Sequence, residues 1–423
     1  MKIKISGAET LLFSQDKPYT KKCDIYITDN LISGVDDCPE GFVADKTIDG
    51  NNRLVIPGLI NAHTHAYMSF FRNIADDLEF NDWLFGKIMP MEDKLTSEDI
   101  YWGTLLGALE MIATGTTSYI DMTIDMEGSM RGALESGLRA SVSRGLVGEG
   151  ANEAGSTRLS ENLRYLPAQN ELVSVILGPH APYTCDPEYL KIVTEAAKEH
   201  NLPLTIHLSE SLKEVSDIKS AYGMSPIELM EKIGLFDVPV IAAHCVQLSD
   251  NDIEILAKNN VTVATNPISN AKLANGFAPL SKLNKAGVNI AIGTDSAASN
   301  NTLNMFSDIN FASLVHKGTG HDPLAISAAD AISFATLGGA TATGKKTGRI
   351  EKGYLADIAI LNTDTPQFYP RNDYVAALAY SANGSEVETV IAGGEILMEN
   401  KIFTKLDKER IYFECEKIIE RIK

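Results

Sequence analysis

Two histidines separated by one residue, His63 and His65, follow a short apolar run and could bind one metal ion together. On a β-strand, residues i and i+2 face the same side, so both imidazoles would point the same way. Imidazole prefers borderline ions such as zinc, iron or nickel. The triplet alone is weak support, because two polar histidines in a loop would look the same. The other ligands must come from elsewhere in the chain.

Residues that could complete a metal site follow other short apolar runs. Five of the eight histidines fall at such predicted strand ends, namely His63, His65, His180, His207 and His244. A catalytic zinc needs three or four nitrogen or oxygen ligands and one open position for water. The predicted metal ligands, which come from three different strands, are His63, His65, His207 and Asp295.

Two further residues could handle protons. Glu210 lies three residues beyond His207, too far along its loop to be a ligand beside it, and suits a proton shuttle between water and substrate. His244 could bind the metal or hold its water, although taken alone it better fits a buried core histidine. The metal would lower the pKa of its water towards neutral. Asp295 could accept that water's proton, or merely cap the following helix.

The elements that must position these side chains are eight apolar runs that alternate with amphipathic segments. The predicted strands are residues 55–60, 117–122, 140–146, 173–177, 204–207, 240–244, 261–265 and 288–292. Helical patterns between them include residues 101–113, 187–200, 226–233 and 250–259. Eight such units predict an α/β fold, a (β/α)8 TIM barrel whose active site lies at the C-terminal ends of the strands. A doubly wound open sheet is the alternative, but its glycine-rich first turn is missing.

Strand patterns at both ends of the chain predict a second, small β-sandwich domain. It would be discontinuous, formed by residues 1–57 and 348–405, beside a catalytic barrel of residues 58–347. Its predicted strands are residues 2–6, 23–28, 31–35, 348–350, 356–361 and 388–398. Residues 406–423 would form a closing helix. Its predicted apolar stripe is Ile411, Phe413, Ile418, Ile419 and Ile422.

Composition excludes several classes of function. A formal net charge of -19 argues against nucleic acid or an anionic membrane as a partner. No segment is apolar and long enough to span a membrane, and the N-terminus lacks the apolar core of a signal peptide. The five scattered cysteines have no CxxC spacing and indicate free thiols in a reducing cytoplasm. We therefore expect a cytoplasmic protein that acts on small molecules.

Longer motifs make the sequence similar to one family. The histidine and aspartate series resembles the amidohydrolase superfamily, in its branch of deaminases with a single metal ion. The order of the finer motifs resembles the 5'-methylthioadenosine/S-adenosylhomocysteine deaminases over nearly the whole chain. These motifs are Asn61-Ala62-His63-Thr64-His65, Trp83-Leu84, Met91-Glu92-Asp93, Ser143-Arg144-Gly145-Leu146, Gly178-Pro179-His180-Ala181-Pro182-Tyr183, Ile206-His207-Leu208-Ser209-Glu210, Ala243-His244-Cys245, Asn266-Pro267-Ile268-Ser269-Asn270 and Gly293-Thr294-Asp295-Ser296-Ala297-Ala298-Ser299-Asn300-Asn301.

The resemblance implies a role for each matching residue. The metal ligands fall on the same four residues, the general acid/base on Glu210, and the water-orienting histidine on His244. Contacts to the ribose fall on Glu92 and His180, and Glu210 and Asp295 would also contact the substrate. Arginines near the 5' substituent fall on Arg144 and on Arg158, whose register after the loop of residues 148–157 the sequence leaves open. Two guanidinium groups could clamp a homocysteine carboxylate by bidentate hydrogen bonds. Without the resemblance, Glu92 would equally fit a solvated helix face.

The resulting hypothesis is hydrolytic deamination of adenine nucleosides by a metal-activated water. The substrates would be 5'-methylthioadenosine and S-adenosylhomocysteine, with 5'-deoxyadenosine and adenosine as further candidates. The cofactor would be one divalent ion per subunit, zinc first, with iron, nickel or manganese as alternatives. Family habit implies a homo-oligomer, a dimer or tetramer. The alternatives are a related deaminase or dechlorinase of guanine, a pterin, cytosine or a triazine, and a non-catalytic metal-binding barrel.

Overall fold

A computed structural model describes residues 1–79 and 82–423 and contains 18 β-strands in that part of the chain. The strands are β1 (Lys2–Ser14), β2 (Lys17–Thr28), β3 (Leu31–Val35), β4 (Lys46–Asp49), β5 (Arg53–Pro57), β6 (Leu59–Thr64), β7 (Thr116–Thr123), β8 (Arg139–Leu146), β9 (Val173–Val175), β10 (Gly178–Pro179), β11 (Leu204–Leu208), β12 (Val240–His244), β13 (Thr262–Thr265), β14 (Asn289–Ile292), β15 (Ile358–Asn362), β16 (Val387–Ala392), β17 (Glu395–Glu399) and β18 (Ile402–Phe403).

Helices separate most of the strands. The α-helices are α1 (Met89–Glu92), α2 (Ser97–Ala113), α3 (Met126–Ser136), α4 (Glu153–Arg164), α5 (Pro187–His200), α6 (Leu212–Tyr222), α7 (Pro226–Ile233), α8 (Asp250–Lys258), α9 (Pro267–Lys272), α10 (Leu280–Lys285), α11 (Met305–Gly320), α12 (Ala328–Ser333), α13 (Gly339–Thr343), α14 (Tyr374–Tyr380) and α15 (Lys408–Ile422). Short 3₁₀ or π-helical segments cover Ala66–Phe71, Asp82–Ile88, Leu166–Ala168, Leu235–Asp237, Phe334–Gly338 and Pro366–Phe368.

The middle of the chain forms a closed parallel barrel. Strands β6, β7 and β8 pair in that order, and β9 and β10 together form the fourth strand beside β8. Strands β11 to β14 follow in sequence order. Parallel bridges between Leu177 and Leu204 and between Thr64 and Asp295 join the two sets of strands at both seams. The prediction of a (β/α)8 barrel is confirmed.

Two predicted helices, residues 187–200 and 226–233, begin and end where the sequence predicted. Capping residues at both ends of each helix explain this agreement. Helix α5 begins after Asp186, whose side chain accepts the Tyr189 N–H, and ends before Asn201 in the left-handed conformation. Helix α7 begins after Ser225, which forms a capping box with Glu228, and ends before left-handed Gly234. Such residues satisfy backbone groups that have no partner inside the helix.

The first barrel strand differs from the prediction. Residues 55–60 were expected to be one strand, but the chain changes sheets at Pro57 and Gly58. Val55 in β5 pairs with Ile360 and Thr10 outside the barrel, whereas β6 begins at Leu59. A Cβ on Gly58 would lie 2.0 Å from Thr117 Oγ1, so only glycine fits where the chain enters the barrel.

Strands from both ends of the chain pair in one sheet. Nine strands of the described chain take the order β18-β17-β16-β15-β5-β1-β2-β3, with β4 beside β1. The antiparallel pair of β5 and β15 joins the N-terminal and C-terminal parts. A separate cluster of buried apolar side chains, which includes Ile3, Ile25 and Ile358, forms the core of this part of the molecule. The proposed domain limits stay a prediction.

Two details at the C-terminal end of the chain were predicted wrongly. Residues 348–350 form a turn rather than a strand, and Gly348 takes a φ of 76°. Helix α15 forms as expected, but Phe413 of the predicted stripe is 66% exposed. The buried face instead repeats at helical spacing through Ile411, Cys415, Ile418 and Ile422.

No helix within residues 1–79 and 82–423 is long and apolar enough to cross a membrane.

Candidate metal centre and active site

Four predicted ligands meet at the C-terminal ends of the barrel strands. Their ligand atoms all lie within 4.8 Å of one another. His65 Nε2 lies 3.3 Å from His207 Nε2 and 3.4 Å from Asp295 Oδ1. His63 Nε2 lies 3.6 Å from the same carboxylate oxygen. Strands β6 and β11 and the turn after β14 therefore converge on one small volume.

The hydrogen bonds around these histidines fit a metal ion. Nδ1 of His65 lies 2.7 Å from the Met122 carbonyl oxygen, and Nδ1 of His207 lies 2.7 Å from the His180 carbonyl oxygen. Each Nδ1 must donate, so each Nε2 keeps a free lone pair. His63 Nε2 is buried without a hydrogen-bond partner in the described chain. Three nitrogens and one carboxylate oxygen are a donor set that suits a divalent ion such as zinc.

Protonation also favours metal binding. Burial lowers the pKa of His63 to about 4 and that of His207 well below its usual value, so both rings stay neutral. Burial would raise the pKa of Asp295, but His63 and the neighbouring histidines hold it well below its usual range. The hydroxyls of Ser269 and Ser299 donate to Asp295 Oδ2 at 2.6 and 2.8 Å. Oδ1 is left facing the histidines.

Three loops at this rim hold unusual backbone conformations. Ser209, His244 and Asp295 have φ values of 51°, 71° and 60°, in the left-handed region that favours glycine. Such strain persists where surrounding contacts over-determine it, and it clusters at functional sites. Gly293 allows the close approach of β14 and β6, because a Cβ there would lie 2.8 Å from the His63 backbone nitrogen.

Glu210 and His244 face one another beside the metal ligands. Glu210 Oε1 lies 3.9 Å from His244 Nδ1 and accepts a hydrogen bond of 2.9 Å from Asn275 Nδ2. Burial raises the pKa of Glu210 above its usual value. Burial lowers the pKa of His244, but the charges of Glu210 and Asp295 outweigh it and leave the pKa raised. Its Nδ1 also lies 2.7 Å from Asn270 Oδ1.

A cavity of about 450 Å³ opens over this cluster. It is lined by three of the predicted ligands, His65, His207 and Asp295, and by Glu210 and His244. Its wall also contains the four other residues predicted for substrate binding: Glu92, Arg144, Arg158 and His180. An apolar side is formed by Trp83, Leu84, Phe85, Ile88 and Met89. The volume fits a small organic ligand such as a nucleoside.

Glu92 and His180 are held by neighbours that the sequence did not single out. The Tyr67 hydroxyl donates a short hydrogen bond to Glu92 Oε1, and burial raises the pKa of Glu92. His180 Nδ1 lies 2.9 Å from Thr184 Oγ1, and burial lowers the pKa of His180 to about 4. The sequence offered one indication that Tyr67 lies near the site, because Tyr67 follows His65 by two residues.

The segment before Arg158 differs from the prediction. Residues 148–157 were expected to be a loop, but α4 begins at Glu153 after the Asn152 cap and carries Arg158. The Arg158 guanidinium donates to the Val147 carbonyl at 3.3 Å. Arg144 Nε donates to Glu161 Oε2 at 3.2 Å. Both arginines line the cavity.

Asn275, Asn270 and Ser269, whose side chains contact Glu210, His244 and Asp295, had no role assigned from the sequence. Asn275 lies outside every motif, while Ser269 and Asn270 lie in one that gave no individual roles. The remaining histidines do not line the cavity: His200 ends α5, His316 lies within α11, and His321 follows it.

Comparison with known proteins decides the family. The sequence model of the protein family described as "Amidohydrolase family" matches residues 54–397 of the chain. The chain belongs to the amidohydrolase family. This amidohydrolase is 43% identical over 423 residues to a protein of Thermoanaerobacter pseudethanolicus named 5-methylthioadenosine/S-adenosylhomocysteine deaminase. That alignment covers 99% of this chain and 98% of the relative.

Two further proteins resemble this amidohydrolase over most of its length. A protein of Methanocaldococcus jannaschii named 5'-deoxyadenosine deaminase is 42% identical over 406 residues, covering 95% of this chain and 96% of the relative. The crystal structure of an adenosine deaminase from Xanthomonas campestris with bound zinc superposes with a TM-score of 0.94 at 29% identity. That superposition covers 99% of this chain and 98% of the other.

Proposed function

We propose that this amidohydrolase hydrolytically deaminates the adenine ring of 5'-methylthioadenosine and S-adenosylhomocysteine. The products would be the corresponding inosyl compound and ammonia, and 5'-deoxyadenosine and adenosine are further candidate substrates. The observation that carries the proposal is one cavity that joins three of the four metal-ligand candidates, Glu210 and His244 to the Glu92 carboxylate and two arginines. The names of the relatives at 43% and 42% identity support the same reaction.

The proposed cofactor is one zinc ion per subunit, held by His63, His65, His207 and Asp295. When bound, the ion would act as a Lewis acid that activates the attacking water. Three imidazole nitrogens and one carboxylate also accept iron, nickel or manganese. Zinc is the first choice because it is the ion in the Xanthomonas campestris structure.

The proposed proton transfers use the two residues beside the metal ligands. Water adds to C6 of the adenine ring while Glu210, whose pKa burial raises, gives its carboxyl proton to N1. His244 would hydrogen-bond the oxygen that adds to C6 and orient it. The first proton that the water gives up passes to Glu210 and restores its carboxyl group. The remaining proton of the added hydroxyl passes to N6, the C6–N6 bond breaks, ammonia leaves, and C6 keeps the oxygen as a carbonyl.

The proposed substrate contacts match the remaining polar groups of the cavity. Glu92 would accept hydrogen bonds from the ribose hydroxyls, and His180 would present Nε2 because Nδ1 faces Thr184. Arg144 and Arg158 would bind the carboxylate of S-adenosylhomocysteine by charge-assisted hydrogen bonds. The apolar side of the cavity suits a thioether.

Ultraviolet absorbance of zinc-loaded protein with a panel of substrates tests the proposal. The panel is S-adenosylhomocysteine, 5'-methylthioadenosine, 5'-deoxyadenosine, adenosine and guanine. We expect the adenine spectrum to shift towards hypoxanthine, fastest for the two 5'-thio compounds. Turnover of guanine without change in any adenosine compound would contradict the substrate assignment but not the proposed metal centre. Metal binding with no turnover of any aminopurine would favour a non-catalytic barrel.

We also propose that the protein works in the cytoplasm as a homo-oligomer. Five free cysteines, four of them buried, suit a reducing compartment. Analytical ultracentrifugation of the zinc-loaded protein would test whether it is a dimer or tetramer, and a monomer would contradict this.

A further inference from the structure

Glu214 has no part in the proposed chemistry, yet its carboxylate is buried against the loop that carries Glu210. Glu214 is 3% exposed and lies in the first turn of α6. Its Oε1 accepts the Ser209 backbone N–H at 2.8 Å, and its Oε2 accepts the Glu210 backbone N–H at 2.8 Å. Both carboxylate oxygens thus bind two successive amides of this one loop.

The same loop is fixed from its other side. The Ser209 carbonyl accepts the N–H of Val246 at 3.0 Å and that of Gln247 at 2.8 Å. These two residues directly follow His244 and Cys245 at the end of β12. Ser209 therefore ties the loop of Glu210 to the loop of His244. Ser209 also takes a left-handed φ of 51°, a conformation that persists where surrounding contacts hold it in place.

An ordinary helix cap does not explain this contact. Ser211 caps α6, and Glu214 stands three residues later, which is the capping-box pattern. In α7 the same pattern behaves as expected, because Glu228 accepts the N–H of its own cap residue Ser225 at 2.7 Å. Glu214 instead reaches past its cap residue to Ser209 and Glu210.

We propose that Glu214 is a positioning residue, which holds the Glu210 carboxyl group in register with His244 and with the substrate ring. The inference rests on the proposed function, because the register matters only if Glu210 moves a proton. Glu210 Oε1 lies 3.9 Å from His244 Nδ1 and 2.9 Å from Asn275 Nδ2, and the two backbone hydrogen bonds to Glu214 fix the start of its side chain. A misplacement of about 1 Å in a reacting group can cost about 100-fold in rate.

Glu214→Gln tests this, with Glu228→Gln as the matched control. The glutamine amide would turn an NH₂ group towards one of the two backbone donors. We expect kcat on S-adenosylhomocysteine to fall by roughly 10-fold to 100-fold, with KM within about threefold and bound metal unchanged. Glu228→Gln should lower only the thermal midpoint. A wild-type kcat in Glu214→Gln, or a loss that merely follows the folded fraction, would overturn the inference.

A second measurement needs no substrate. Backbone amide hydrogen exchange of residues 207–215 should be faster at Ser209 and Glu210 in Glu214→Gln than in the wild type. Unchanged protection there would overturn the inference even if the wild type deaminates none of the nucleosides. An inactive wild type with faster exchange in the variant would instead contradict the proposed function and leave Glu214 as the residue that fixes the loop.

Discussion

Asn61 and Thr294 exchange two buried hydrogen bonds across the seam of the barrel. Asn61 Nδ2 donates to Thr294 Oγ1 at 2.7 Å, and the Thr294 N–H donates to Asn61 Oδ1 at 3.0 Å. Asn61 lies two residues before His63, and Thr294 lies directly before Asp295. The pair therefore fixes the distance between the strand that carries two metal ligands and the turn that carries a third.

Replacing Asn61 should weaken metal binding. In Asn61→Ala both hydrogen bonds are lost, and we expect zinc affinity to fall about 10-fold, as when an outer partner of a metal ligand is removed. Competition with a chromogenic chelator measures this. Asn289→Ala is the control, because Asn289 Nδ2 also bonds a threonine on the neighbouring strand, Thr262, at 3.0 Å but at the opposite end of the barrel. Equal affinities in both variants and the wild type would contradict the account.

A buried ion pair should stabilise the junction between the barrel and the sheet of the chain ends. Arg139 at the start of β8 binds Asp357 at 3.1 and 3.3 Å, and the two side chains are 5% and 0% exposed. Arg139→Met leaves a buried carboxylate with fewer partners, so we expect a loss of about 3–5 kcal/mol in the free energy of unfolding. Denaturant unfolding measures it.

The control for the buried ion pair is an ion pair on the surface. Arg131 and Glu98 are 2.9 Å apart with side chains 46% and 55% exposed. Glu98→Gln should cost less than about 1 kcal/mol. A cost for Arg139→Met as small as that of Glu98→Gln would show that the buried pair does not hold the junction.

Asp121 should make stability depend on pH. Burial raises its pKa to about 7, and Oδ2 has no partner in the described chain, while Oδ1 accepts the Ala66 N–H at 2.7 Å. The folded state thus keeps a proton that the unfolded state releases near pH 4, so the stability from Asp121 falls as pH rises towards 7. Asp121→Asn stays neutral and avoids this loss.

The gain from Asp121→Asn over the wild type should therefore grow from acidic to neutral pH, by at most about 4 kcal/mol. Unfolding midpoints of both proteins across that range measure the difference. Asp217→Asn, at a side chain 56% exposed on α6, should show no such growth. A constant difference between Asp121→Asn and wild type would contradict the assignment.

Arg144 should discriminate between charged and neutral 5' substituents. Arg144→Met removes a guanidinium from the cavity, so kcat/KM for S-adenosylhomocysteine should fall by roughly 10-fold to 100-fold. The value for neutral 5'-methylthioadenosine should stay within about threefold. Steady-state kinetics with both substrates measure the split, and the exposed Arg131→Met serves as control. An equal loss for both substrates would count against the clamp.

The sequence predicted the barrel well because eight apolar runs alternate with helical patterns and several of the strand ends carry a histidine or an aspartate. Apolar runs ending in His65, His207, His244 or Asp295 locate the rim, since parallel strands must deliver those ends to one face. The predicted domains divide between Pro57 and Gly58, but the strand predicted over residues 55–60 ran across that point because one continuous apolar run serves two sheets.

Other features depend on contacts that spacing does not reveal. The helix that carries Arg158 begins in a Gly- and Ser-containing stretch that favours a loop. Glu214 shows the same local pattern as Glu228, and only the folded chain reveals that its carboxylate binds elsewhere. Asn275 reaches Glu210 across 65 residues of sequence.

The most direct test of the central claim compares wild type with Glu210→Gln, both loaded with zinc. Ammonia release from S-adenosylhomocysteine and metal content are measured on the same samples. We predict that the wild type releases ammonia, and that Glu210→Gln binds the same amount of metal but is slower by at least about 100-fold. Ammonia release by Glu210→Gln at the wild-type rate would contradict the role of this carboxyl group and with it the proposed mechanism.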